Sequence, residues 1–189
     1  RPDDAAVVAV PEGMVLVQTV DSFRAMIDDP FLFGKITAHH CLNDIYAMGG
    51  EPQTALAIVT IPLGLELKVE DTLTQLLTGA GEVLCEAGAQ LIGGHSGEGA
   101  ELTLGFSVNG LADETNLLRK GDLRLGQHLI LTKAVGTGTL FAAEMRGRAR
   151  GRWVKGAIES MLKSNREAAS CFLRHAATAC TDVTGFGVA

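Results

Sequence analysis

The apolar positions of this chain recur with two spacings, one typical of strands and one typical of helices. Val-rich and β-branched runs bounded by Gly or Pro predict strands in the first part of the chain. These runs lie at residues 5–10, 15–19, 54–62, 90–94 and 102–111. A turn sequence between the first two runs predicts a hairpin, and the run at residues 54–62 is apolar enough for a strand buried on both faces. A Gly-rich loop is expected at residues 95–99.

Two longer segments carry apolar residues three or four positions apart and predict helices. The first covers residues 31–48 and is followed by the pair Gly49 and Gly50, a common way to end a helix. The second covers residues 69–87 and is followed by Gly88. Strand pairs combined with two long helices predict an α+β domain.

A polar, turn-prone stretch at residues 117–126 predicts a domain boundary. We place a first domain at residues 1–116 and the start of a second, α/β domain at residues 117–189. We also expect the chain to be a fragment of a longer enzyme. The elements predicted in the second region are a strand, a short helix and a long helix, at residues 128–132, 140–145 and 153–177.

Composition narrows the class of protein. A hydrophobic content of 47% and a charged content of 20% over 189 residues are typical of a globular protein. The net charge of −6 argues against nucleic acid as a partner, and the basic stretch at residues 146–152 is interpreted as a solvated loop between helices. No apolar run approaches the roughly 20 residues that span a bilayer, so we expect no membrane partner and a cytoplasmic location.

Four aspartates stand beside small residues or at the ends of predicted elements. Carboxylate oxygens are preferred Mg²⁺ ligands, and small neighbours leave room for a polyphosphate. Each aspartate alone could be a helix cap, an acidic turn or half of an ion pair. Together they predict a shared site for two or more divalent ions. The four are Asp4 in DDAAV, Asp21 at the end of a predicted strand, Asp44 in NDIYAMGG and Asp182 in TDVTGFG.

A Gly-rich segment is the candidate for binding phosphate. His95 and Ser96 lie in the predicted loop and Gly94 directly precedes it, where backbone N–H groups could approach phosphate oxygens. A plain Gly-rich turn remains the alternative. A second Gly-rich turn at residues 136–138 lacks the Gly-Lys-Ser/Thr sequence of a P-loop, which excludes that nucleotide-binding class.

The order of these motifs resembles the selenophosphate synthetase (selenide, water dikinase) family, within the aminoimidazole ribonucleotide synthetase superfamily. NDIYAMGG at residues 43–50 and TDVTGFG at residues 181–187 carry the specific part of the resemblance. DDAAV at residues 3–7 and GGHS at residues 93–96 are shared more widely in the superfamily. The resemblance implies an α+β N-terminal domain with a mixed sheet, a homodimer formed through its strands, and the start of a second α/β domain.

The same resemblance implies an activity and roles for individual residues. Family members convert selenide, ATP and water into selenophosphate, AMP and phosphate. The resemblance also implies that Lys133 matches a lysine that family members have at the start of their second domain. We assign no role to it. The matching Mg²⁺ ligands are Asp4, Asp21, Asp44 and Asp182, and the matching nucleotide contacts are Gly94, His95 and Ser96.

The sequence also departs from the family pattern. The family's Gly-rich segment, with a catalytic Cys or selenocysteine and a Lys, has no match, so we name no catalytic residue and expect the fragment alone to be inactive. His40 stands where the family usually has Asn. The sequence further resembles the kinase part of bacterial fusions with a flavin-dependent dehydrogenase. Alternatives are a thiamine-monophosphate kinase, an aminoimidazole ribonucleotide synthetase, or a non-catalytic nucleotide-binding dimerisation module.

Overall fold

A computed structural model describes residues 10–187 of the chain. Its centre is a four-stranded mixed sheet in the order β1-β4-β2-β3. Strand β4 is antiparallel to both β1 and β2, whereas β2 and β3 are parallel. The strands are β1 (Met14–Arg24), β2 (Glu51–Pro62), β3 (Gln90–Gly99) and β4 (Thr103–Asp113). Asp4 and the start of the predicted hairpin lie outside the described residues.

Two long helices, α1 (Pro30–Ala47) and α2 (Glu66–Glu86), cover one face of this sheet. Helix α1 begins where the sequence predicts, because the Asp29 carboxylate accepts the backbone N–H of Leu32 and Pro30 opens the first turn. It ends before Gly49, whose φ of 77° is left-handed. The core between helices and sheet is fully buried and includes Phe33, Leu42, Ile45, Leu76, Leu104 and Phe106.

Glycines allow α1 and α2 to pack in direct backbone contact. A Cβ atom at Gly34 would lie 2.1 Å from the carbonyl oxygen of Leu76, and one at Gly79 would lie 2.1 Å from that of Phe31. Because these oxygens belong to the helix backbones, they cannot move away from an added Cβ unless the two helices separate. The close crossing therefore depends on these two positions.

Substituting Gly34 with Ala is expected to lower the free energy of unfolding by about 1–3 kcal/mol, because the added methyl group overpacks the crossing. Gly81 is the matched control, since it lies inside the other long helix, α2, but has open space where a Cβ would go. Gly81→Ala is expected to stabilise the chain by about 0.5–1 kcal/mol. Urea unfolding of the three proteins measures both effects, and equal stability of Gly34→Ala and the unchanged chain would contradict the packing.

The sheet departs from the sequence prediction in two ways. Residues 95–99 do not form a loop, because β3 continues to Gly99 and pairs along its length with β2. The prediction that residues 54–62 are buried on both faces was also wrong for the chain alone. Helices cover only one face, so Leu56 and Ile58 remain 38% and 48% exposed on the other.

The second region contains three helices: α3 (Thr137–Glu144), α4 (Gly151–Met161) and α5 (Arg166–Arg174). The strand predicted at residues 128–132 does not form in the described part of the chain, where no neighbouring strand pairs with it. The long helix predicted at residues 153–177 is broken between Met161 and Arg166, where the Ser164 hydroxyl accepts the backbone N–H of Arg166. The domain boundary stays a prediction.

The basic stretch predicted as a loop at residues 146–152 joins α3 to α4 over residues 146–150, whereas Gly151 and Arg152 already belong to α4. Its Arg150 and Arg152 guanidinium groups lie 5.1 and 6.0 Å from the ring centre of Trp153. Among residues 10–187, no helix is both long and apolar enough to cross a membrane.

Candidate metal and nucleotide site

The candidate site lies where strand β1 packs against helix α1. Thr19 and Asp21 are two residues apart on β1, so both side chains point to the helix-covered face of the sheet. His40 and Asp44 are four residues apart on α1, so they share one face of the helix. The two pairs meet across the strand–helix contact.

The strand and the helix exchange polar contacts in a crossed arrangement. The Thr19 hydroxyl donates a hydrogen bond of 2.5 Å to Oδ2 of Asp44. The Nε2 atom of His40 lies 3.2 Å from Oδ2 of Asp21. Each carboxylate is therefore contacted by a polar group from the other element. Within residues 10–187 both contacts engage Oδ2, so the Oδ1 atoms are the candidate cation ligands.

Cys41 adjoins these groups, but it is not a candidate nucleophile. Its thiol donates a hydrogen bond to the backbone carbonyl oxygen of Asp21, with a sulfur–oxygen distance of 3.6 Å. Burial raises the pKa of the Cys41 thiol to about 12, and the nearby charges of Asp21 and Asp44 act in the same direction. The thiol therefore stays protonated and unreactive at neutral pH.

Asp182 is a third carboxylate in the same region. Burial raises the pKa of its carboxyl group, and the negative charges of Asp44 and Asp21 raise it further, while His40 opposes them. Asp182 lies 138 residues beyond Asp44 in the chain, yet the charges of Asp44 and Asp21 act on its carboxyl group. Carboxylates brought together in this way repel one another unless a cation balances them.

The carboxylates do not form a closed metal cage. Among residues 10–187, no group of three or more His, Cys, Asp or Glu side chains is close enough to hold a metal ion. An open, all-oxygen set still fits Mg²⁺, which commonly takes one or two carboxylates and completes its shell with water and substrate phosphates. Asp4, the remaining predicted ligand, lies outside the described residues.

The position of Asp44 within its helix was predicted correctly, whereas the position of Asp21 within its strand was not. Asp44 lies near the end of α1, as predicted. Asp21 does not end its strand, because β1 runs on to Arg24 through continuous pairing with β4. The apolar run in the sequence ends at Val20, whereas the backbone pairing does not.

The predicted phosphate-binding residues lie elsewhere on the sheet. Gly94, His95 and Ser96 are exposed on the edge strand β3. A Cβ atom at Gly94 would lie 2.2 Å from the carbonyl oxygen of Ala57, so this glycine permits close strand pairing rather than a loop. Strands β1 and β3 are at opposite edges, about 14 Å apart at three strand spacings. One chain therefore does not bring these residues to the aspartates.

Lys133 and His39 mark a second polar region. The Lys133 ammonium group donates a hydrogen bond to the backbone carbonyl oxygen of Lys163, and burial lowers its pKa. His39 is only 8% exposed and lines a cavity of about 410 Å³ between α1, α2 and the α4–α5 junction. The cavity also contains Lys163 and Arg166, and neither Asp21 nor Asp44 lines it.

Sequence reasoning missed Thr19 and the contact made by His40. The available signal was spacing: Thr19 lies two residues before Asp21 in a predicted strand, and His40 lies four residues before Asp44 in a predicted helix. These spacings place each polar residue on the same face as an aspartate. Which carboxylate each one contacts depends on how the helix packs on the strand.

Comparison with known proteins places the chain in a family. Residues 2–112 match the family described as AIR synthase related protein, N-terminal domain. Selenide, water dikinase from Pelobacter propionicus is 42% identical over 188 residues, covering 99% of this chain and 53% of that protein. Selenide, water dikinase from Geobacter metallireducens is 42% identical over 186 residues, covering 98% and 54%. The chain thus spans about half the length of the curated relatives it matches.

Thiamine-monophosphate kinase from Stenotrophomonas maltophilia has a similar structure, with a TM-score of 0.76 over 91% of this chain and 57% of that one. At 19% identity this similarity concerns the fold alone. The α+β prediction and the resemblance stated from the motifs are both confirmed. The chain belongs to the AIR synthase related protein family, and residues 2–112 are its N-terminal domain.

Proposed function

We propose that the protein carrying this chain makes selenophosphate from selenide, ATP and water, with release of AMP and phosphate. The observation that carries the proposal is 42% identity to a curated selenide, water dikinase across 99% of the chain. The thiamine-monophosphate kinase of similar fold shares only 19%. The carboxylates at the β1–α1 contact support a metal-dependent reaction of a polyphosphate.

In this proposal Asp21, Asp44 and Asp182 bind Mg²⁺, together with Asp4. Bound Mg²⁺ would offset negative charge on the ATP phosphates as a phosphoryl group is transferred. The Thr19 hydroxyl holds the Asp44 carboxylate through its 2.5 Å hydrogen bond. Because Asp21 and Asp44 lie on packed regular elements, their separation varies little before the nucleotide binds.

We further propose that Gly94, His95 and Ser96 contact the nucleotide phosphates. Their position on an exposed edge strand makes them accessible to a ligand. Their separation from Asp21 within one chain favours a nucleotide bound at a boundary between two protomers. Such an arrangement would bring β3 of one protomer near β1 of its partner.

The uncovered face of the sheet supports a homodimer. It exposes apolar side chains on both β1 and β2, and an apolar surface of this kind is typical of an interface. The exposed fractions are 45% for Leu16, 63% for Val20, 38% for Leu56 and 48% for Ile58. From the sequence we expect the strands at residues 5–10, 55–61 and 102–111 to form this interface. The exposed apolar residues of β1 add a further strand to the proposed interface.

Leu16→Arg is expected to weaken the dimer at least about tenfold, because it places a charge inside an apolar contact. Leu67→Arg is the matched control, since Leu67 is 81% exposed on α2, which lies on the opposite face of the sheet. Light scattering across a dilution series measures both variants. A monomeric unchanged protein at micromolar concentration, or two variants that dissociate equally, would contradict the proposed interface.

Product analysis of the full-length protein tests the reaction itself. ATP and Mg²⁺ are supplied with selenide, sulfide or thiamine monophosphate, and the nucleotide products are separated by chromatography. We expect AMP that depends on selenide. Formation of ADP with thiamine monophosphate would favour a thiamine-monophosphate kinase, and nucleotide binding without any turnover would favour a non-catalytic module.

We also propose that the protein works in the cytoplasm. All four cysteines, Cys41, Cys85, Cys171 and Cys180, are free thiols. Free thiols persist in a reducing compartment, which supports this location.

A further inference from the structure

His40 contacts one of the carboxylates assigned to Mg²⁺ and has no role in the mechanism described so far. We infer that His40 is a positioning residue, which holds the Asp21 carboxylate in the orientation that binds the cation. This inference rests on the proposed function. It assigns a specific task to the residue that departs from the family pattern at this helix position.

The geometry around His40 favours orientation of the carboxylate over simple space filling. Its Nε2 atom lies 3.2 Å from Oδ2 of Asp21. The Phe23 ring meets the imidazole edge-on, with ring centres 4.6 Å apart and planes at 86°. Phe23 and Asp21 lie two residues apart on β1, so the strand supplies both the carboxylate and the ring that restrains the imidazole.

The second strand–helix pair shows the same arrangement with the roles exchanged. On β1, Thr19 is the polar partner and Asp21 the carboxylate; on α1, Asp44 is the carboxylate and His40 the polar partner. Each carboxylate is engaged at Oδ2 from the opposite element. Both carboxylates are thus fixed relative to the same strand–helix contact, as a cation shared between them requires.

The inference does not depend on the charge of the imidazole. The Nε2 atom, which lies 3.2 Å from Oδ2 of Asp21, carries a proton both in the neutral tautomer protonated at that atom and in the imidazolium form. The inference requires only a hydrogen-bond donor at the position of Nε2, beside the Asp21 carboxylate. Removing the donor would let the Asp21 side chain rotate, so binding of the cation would have to restore its orientation.

Two substitutions separate the donor from the ring. His40→Phe keeps an aromatic ring beside Phe23 but has no donor, whereas His40→Gln keeps an N–H donor without the ring. Manganese binding to the full-length protein is measured with a non-hydrolysable ATP analogue present, from the electron paramagnetic resonance signal of free Mn²⁺. We expect His40→Phe to weaken Mn²⁺ binding about 10- to 100-fold, the usual loss when a group that orients a ligand is removed.

His40→Gln is expected to recover most of that affinity. Phe23→Leu, which removes only the edge-on ring, should lose less affinity than His40→Phe. The inference is overturned if His40→Phe binds Mn²⁺ like the unchanged protein, or if His40→Gln loses as much affinity as His40→Phe. Absence of Mn²⁺ binding by the unchanged protein would instead overturn the proposed function on which the inference rests.

Nitrogen NMR of the His40 imidazole gives a readout that needs no metal. We expect a proton on Nε2, and we expect the Nε2 chemical shift to change in Asp21→Asn. A neutral His40 protonated at Nδ1 alone would overturn the inference, since no donor would then face Asp21. Thermal unfolding of each variant verifies that the compared proteins are folded.

Discussion

Asp44→Asn will lower the selenide-dependent AMP release proposed for the full-length protein about 100- to 1,000-fold, the range typical for removing one group that stabilises charge in a transition state. The substitution removes one negative charge at nearly constant volume. The Thr19 hydroxyl donates a hydrogen bond of 2.5 Å to the Asp44 carboxylate, and the amide oxygen of Asn can accept the same hydrogen bond. We therefore expect the fold to be kept. The measurement is the initial rate of AMP formation at saturating ATP and selenide.

Asp71→Asn is the matched control for Asp44→Asn. Asp71 lies on α2, its exposed carboxylate accepts a hydrogen bond from Gln75, and it has no contact with the candidate site. Its substitution should leave AMP release unchanged. Turnover by Asp44→Asn at nearly the rate of the unchanged protein would remove Asp44 from the metal site.

Lowering the pH from about 7 to about 5 will destabilise the chain by about 2 kcal/mol through His39 alone. Burial lowers the pKa of His39 from 6.5 to about 4, and the positive charges of Lys133 and Lys35 act in the same direction, while Glu86 opposes them. The unfolded state therefore binds a proton more readily than the folded state. The stability contributed by neutral His39 is present above the unfolded pKa of 6.5 and is lost progressively as pH falls toward 4.

Urea unfolding at the two pH values tests the contribution of His39. His39→Gln should remove most of the pH-dependent loss, because the replacement does not titrate. His128→Gln is the control, since His128 is exposed and its replacement should leave the loss unchanged. Equal pH dependence in His39→Gln and the unchanged chain would contradict the assignment.

Local signals in the sequence were sufficient to predict the elements whose ends are set by neighbouring residues. Asp29 and Pro30 start α1, and Gly49 ends it, as the capping pattern indicates. Predictions from the local sequence were wrong where strand formation depends on pairing with residues far away in the chain. Residues 95–99 are rich in glycine and predict a loop, yet pairing with β2 holds them in a strand. Residues 128–132 have strand composition, but within the described residues they have no strand partner.

The residues of the candidate site could be predicted from the sequence in part, but their contacts could not. Asp21 and Asp44 were identifiable because they stand beside small residues or at the ends of predicted elements, where a carboxylate can reach a Mg²⁺ ion. Their contacts with His40 and Thr19 were not identifiable, because the choice of partner depends on the packing of α1 on β1. The separation of His95 from Asp21 was also hidden, since strand order cannot be read from the order of residues along the chain.

The formation of a phosphorus–selenium bond is the most direct test of the proposed activity. The full-length protein is incubated with ATP, Mg²⁺ and selenide enriched in the magnetic selenium isotope, and the products are followed by phosphorus NMR. We predict a new phosphorus signal split by selenium, appearing together with AMP and phosphate and lost in Asp44→Asn. Consumption of ATP without any selenium-coupled phosphorus signal would contradict the proposed activity.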